Sequence, residues 1–145
     1  MPAPPAGLTP QMILRQLRII WGAFLVATVL YWVVLTLVTQ GRTPTAGGAD
    51  LLHTMLAVFS LFGVVGTVFI RQKFLGSQDV PPAGRMTYYI MAWGFAESAA
   101  LMGLVRGLVT SAVSGFETFW IVTVVLLLWC RPQPQHFASD RSSIA

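Results

Sequence analysis

Glu97 is one of five acidic residues in this 145-residue chain, and it stands inside the apolar stretch TYYIMAWGFAESAALMGLVRGLV at residues 87–109. A carboxylate is costly where water is scarce, so such a group is protonated, paired with a cation, bound to an ion or turned toward water. The nearest cation along the chain, Arg106, is nine residues further on. In a helix that is about 13 Å along the axis and about half a turn around it, which excludes a pair within one helix. The expected state is the neutral acid, able to release its proton to water or to a mobile positive charge. The adjacent Ser98 adds a hydroxyl, so Glu97 and Ser98 form the candidate ion-binding pair. Two other uses of the acid are open. It can be a protonated donor that staples two helices, with Ser60 or Thr28 as acceptor, or a contact for lipid or a partner protein. A second charged couple, Arg106 late in the third span and Glu117 early in the fourth, is brought together by their hairpin at the outer interface. It is expected to form a structural ion pair in preference to a role in transport.

Small residues surround the acid. Ala92, Ala96, Ala99, Ala100, Gly103 and Gly107 recur at three- or four-residue intervals, a stripe that lets neighbouring helices approach closely. The elements that must carry these residues follow from composition. A chain with 55% hydrophobic and 10% charged residues has too little polar surface to cover a globule and needs lipid as solvent. Apolar segments of about 20 residues cross a hydrocarbon layer of about 30 Å as helices, which satisfy their own backbone hydrogen bonds. Four such segments are expected, at about 19–38, 51–70, 86–106 and 113–130. The fold class is thus all-α, a polytopic membrane protein of four transmembrane helices arranged as two antiparallel hairpins. Residues 15–131 form the transmembrane domain, between flexible tails at 1–14 and 132–145.

The first span is longer than the apolar core of a signal peptide and lacks a clean cleavage pattern, so it reads as a retained helix. Pro81 and Pro82 stop any helix from running through the loop before the third span. Met86 to Glu97 covers about 16 Å of helix, which places the acid near the middle of the bilayer. Nine Lys and Arg residues set the orientation. With the N-terminus inside, Arg15, Arg18, Arg71, Lys73, Arg85, Arg131 and Arg141 are cytoplasmic and only Arg42 and Arg106 are outside, as short-loop basic residues prefer. Trp21, Tyr88, Tyr89 and Trp129 then serve as inner-interface anchors. The expected location is the cell inner membrane, with both termini cytoplasmic.

The same residues exclude several functions. The cations form no basic run and do not interleave with aromatics, so nucleic acid is not an expected partner. Cys130 is the single cysteine and allows no intrachain disulfide. His53 and His136 fall on opposite sides of the membrane, and no cofactor or metal pattern emerges. No nucleotide loop or nucleophile–base constellation is present, so the expected role is a non-catalytic subunit. Its partners are the lipid bilayer and a membrane protein or further copies of itself.

The stretch around Glu97 resembles the carboxylate-bearing helix of the proteolipid c subunit of rotary ATP synthases. In that family a helix of the form A-E-[ASG]-x-x-x-x-G-L-V carries the ion-binding acid. Ala96, Glu97, Ser98, Gly103, Leu104 and Val105 are similar in kind and approximate spacing, and Arg71 and Gln72 are similar to its basic cytoplasmic loop. The resemblance spans about residues 71–109 and implies that Glu97 binds a proton in an ion-translocating assembly. The second span has only Gly63 and Gly66 where that family's first helix repeats glycine, and it has no glutamine for a sodium site. Protons are therefore the implied ion.

Overall fold

A computed structural model describes residues 9–43, 49–77 and 80–137, and side chains there except at 49, 50, 82 and 83. Four helices are present and no strand among the described residues: α1 Pro10–Thr39, α2 Ala49–Ile70, α3 Pro82–Thr110 and α4 Phe116–Trp129. A wide π-helical turn, Arg71–Leu75, prolongs α2, and a 3₁₀ turn, Pro134–Phe137, follows α4.

α1 begins earlier than expected. Thr9 caps it by accepting the Met12 amide, Pro10 sits in the first turn, and Ile13 and Leu17 are buried one turn apart. Helix over 10–14 thus replaces that part of the expected N-terminal tail, because a proline that breaks a helix interior is well suited to its first turn. The tail's residues 1–8 lie outside the described residues. α3 likewise starts at Pro82 rather than near 86, with Pro81 extended before it.

α3 is the hub. It packs against α1, α2 and α4, whereas α1 and α2 scarcely touch. The expected pair of hairpins is therefore corrected: α2 and α4 run antiparallel to α3, but α1 lies beside α3 and α4, not beside α2. The reason is the stripe of small residues. Ala92, Ala96, Ala99 and Ala100 are almost wholly buried. A Cβ on Gly103 would lie 2.6 Å from Phe119 Cβ of α4, and one on Gly107 2.6 Å from Leu35 of α1. On α2 the close approach is at Gly63, which faces Phe95 and Ser98 of α3. No comparable contact draws α2 toward α1.

Side chains bond across these contacts to main-chain carbonyls. Thr67 donates to Ala92 O at 3.1 Å and Thr123 to Ala96 O at 3.1 Å. Trp93 donates to Cys130 O at 2.9 Å, Trp21 to Leu127 O at 2.8 Å and Trp120 to Thr28 O at 3.1 Å. Each polar group is satisfied by the neighbouring helix, as apolar surroundings demand. The main core gathers Leu17, Ile70, Tyr89, Trp93, Leu127 and Phe137 at the end of the bundle where α1 and α3 begin.

The expected C-terminal tail is ordered in its first part, because Pro132 and Phe137 are buried; residues 138–145 lie outside the described residues. Arg85 donates to the carbonyls of His136 and Ser77. Tyr89 Oη lies 2.6 Å from His136 Nδ1 and accepts the Gln133 amide. Burial, with Arg85 and Arg71 nearby, holds the His136 imidazole below its ordinary value of 6.5. In its Nε2–H tautomer the neutral ring can accept from Tyr89 through Nδ1. Because the folded value is the depressed one, the stabilisation from this docking is complete above about pH 6.5 and is lost as pH falls through the folded value. Amide exchange at residues 133–137, corrected for its intrinsic pH dependence, is expected to accelerate between about pH 7.5 and about pH 5. Unchanged protection would contradict the contact.

Candidate functional site: the Glu97–Tyr31 couple

Glu97 is held at mid-length of α3, next to two residues that cannot move without breaking a helix contact. Ala96 on one side is fully buried and accepts Thr123 of α4 through its carbonyl. Ser98 on the other lies against Gly63 of α2 and donates to Phe95 O of its own helix at 2.7 Å. Successive helical residues are about 100° apart, so Glu97 faces neither α4 nor α2. It faces α1, where Tyr31 Oη donates to its Oε1 at 2.7 Å. Both side chains are half-buried.

Among the described residues, the only buried side-chain polar atoms without a partner are Arg85 Nε and Arg106 Nε. Among the described residues the Glu97 carboxyl accepts only from Tyr31, and its second oxygen is not one of these buried unpartnered atoms, so that oxygen reaches the surface. That surface is the uncovered strip of α3 between α1 and α2, where Ile90, Gly94, Leu101 and Val105 are exposed and a side chain at Gly94 would meet nothing within 4 Å. Half of the carboxyl is tied to α1, and half opens onto an apolar groove.

The pairing of Glu97 with Ser98 as joint ligands is not what the geometry provides. The two point to different helices, and the Ser98 hydroxyl is occupied by its own backbone. Neither expected acceptor reaches the acid: Thr28 donates to Phe24 O and Ser60 to Ala57 O. Tyr31 is the partner the sequence reading missed. A depth signal was available, since Tyr31 is twelve residues past Ile19 and Glu97 eleven past Met86, which is about 18 and about 16 Å into parallel helices.

Arg106 and Glu117 form no ion pair among the described residues. The turn between α3 and α4 closes through Gly115 at φ 92°, which starts α4 with Glu117 exposed in its first turn. There the carboxylate complements the helix dipole. The Arg106 guanidinium instead lies over Gly115, in the space a side chain there would occupy. Ala96, Ala99, Ala100, Gly103 and Gly107 are all buried and serve as the helix contacts already described. No three His, Cys, Asp or Glu side chains among the described residues gather closely enough to hold a metal ion.

No protein family, curated protein or solved structure matches the chain. Two segments, Pro10–Thr39 and Leu51–Leu75, are long and apolar enough to cross a membrane. Only 11% and 17% of their most apolar stretches are buried inside the fold, unlike the core helices of a water-soluble protein.

Proposed function

We propose that the chain is a small integral membrane protein with four spans and cytoplasmic termini. In this reading it is a proteolipid-like, proton-binding component of an ion-translocating assembly in the inner membrane. The observation that carries the reading is the Glu97 carboxyl, bonded to Tyr31 through one oxygen and open to the α1–α2 groove through the other. The Tyr31 hydroxyl can remain a donor to Oε1 in both protonation states, so a proton can come and go at Oε2 without breaking the helix contact. The groove gives a partner's cation a path to the acid from the side.

The distribution of charge supports the orientation. Arg18 and Arg131 line one cleft with Trp21, and Arg71 and His136 line another, both at the end where Arg85 holds the 132–137 segment. Arg71 lies 3.7 Å over the Trp129 ring. Basic and aromatic residues at one end fit a cytoplasmic interface. At 14 residues, α4 is about 21 Å long and crosses the bilayer only with help from its flanks or local thinning.

A second reading rests on the same bond: Glu97 is a buried hydrogen-bonding group that staples α1 to α3 in a non-catalytic subunit. Dicyclohexylcarbodiimide, which modifies protonated carboxyls in apolar surroundings, separates the two. On the proton-binding reading Glu97 is labelled selectively in membranes, labelling declines as pH rises, Tyr31→Phe increases the labelling rate, and Glu97→Gln abolishes it. No label on Glu97 with loss of folding in Glu97→Gln supports the staple. A fully functional Glu97→Gln protein would remove the proton-binding role.

A further inference from the structure

We propose that the cavity between α2, α3 and α4 binds the anionic head of a single-chain amphiphile, a carboxylate or a phosphate, on Arg106. The cavity measures about 360 Å³, at the small end of ligand pockets, which span roughly 300–1,000 Å³. One acyl chain suits that volume better than two. Its lining is graded. Arg106, His53 and Gly115 stand at the end near the α3–α4 turn, while Val64, Ala99 and Val122 line the part nearer mid-length. From Arg106 back to Ala99 is about 10 Å of helix, so a head at one end and a chain toward the other match the walls. The cavity opens between α2 and α4, which make few contacts with each other.

Arg106 gives the cavity its chemistry. Its Nε is buried without a hydrogen-bond partner, and no acidic side chain among the described residues pairs with it. Glu117 is exposed and Glu97 is bonded to Tyr31 on a different face of α3. A guanidinium against apolar walls without a counter-charge is destabilising. An anionic head offers it the bidentate hydrogen bonds that carboxylates and phosphates accept from arginine. The site shares no residue with the Glu97 couple, so it stands or falls independently of proton exchange.

The test uses the full chain purified in a neutral maltoside detergent, titrated with palmitate, palmitoyl-lysophosphatidate, hexadecanol or inorganic phosphate, with binding read by native mass spectrometry and by the shift in Tm. At least one charged amphiphile is expected to bind about tenfold or more tightly than hexadecanol, the gain of one charge-assisted bond. The tighter of the two identifies the head as carboxylate or phosphate. Arg106→Gln is expected to erase the advantage and Arg106→Lys to retain part of it. Equal binding of hexadecanol by the unmodified protein overturns the proposal even if the variants fail to fold. So does undiminished binding by folded Arg106→Gln protein. Inorganic phosphate matching lysophosphatidate would also overturn it, by showing that the chain contributes nothing.

Discussion

Replacing Trp93 with alanine is expected to destabilise the fold by about 3–5 kcal/mol, the range for deleting a fully buried large aromatic. The side chain is completely buried, with ring centroids 5.9 Å from Phe24 of α1 and 5.5 Å from Tyr89 of its own helix. Its indole also donates to Cys130 O at the end of α4. One residue thus joins three helices, and the cavity left by alanine cannot close without moving all of them. Trp93→Phe keeps most of the volume and is expected to lose about 1 kcal/mol through the missing hydrogen bond. Thermal and denaturant unfolding of the purified proteins measures both changes. An alanine variant within about 1 kcal/mol of the parent would refute this view of the core.

Gly63→Ala is expected to destabilise by about 1–3 kcal/mol, and Gly63→Leu by more, because the added atoms overpack a contact between backbones. A Cβ there would lie 2.5 Å from the Phe95 carbonyl oxygen and would collide with Ser98 Oγ. A flexible side chain could yield, but a helix carbonyl moves only if α2 and α3 separate. Gly94→Ala is the matched control on the open side of α3, where nothing stands within 4 Å. Removing a helical glycine there is expected to stabilise by about 0.5–1 kcal/mol. The two substitutions are chemically identical, so opposite signs in unfolding experiments would isolate helix contact from helix propensity. Destabilisation of similar size at both positions would show that Gly63 is not at a close approach.

The acid at mid-helix, the small-residue stripe and the four helical segments were legible because each depends on local pattern. Glu97 is conspicuous among apolar neighbours, and alanines and glycines three and four residues apart share one helix face. The early start of α1 was less visible. Four prolines within the first ten residues read as a tail, although Thr9 and Pro10 also make a helix start. The Arg106–Glu117 pair failed for a different reason. Proximity across a turn follows from sequence separation, but the Arg106 guanidinium lies over Gly115 while Glu117 is exposed in the first turn of α4.

By itself the sequence determined that four helical segments form, which face of α3 packs and that one carboxyl sits halfway along it, since hydrophobicity and helical period are properties of neighbouring residues. Only the tertiary structure decided which helix meets that carboxyl. Tyr31 is 66 residues away from Glu97, and its approach depends on α1 settling against α3 rather than against α2. That choice is made by shape, through Gly107 receiving Leu35 and Gly63 receiving the α3 backbone. Such fits arise between surfaces of different helices and leave no period along any one of them.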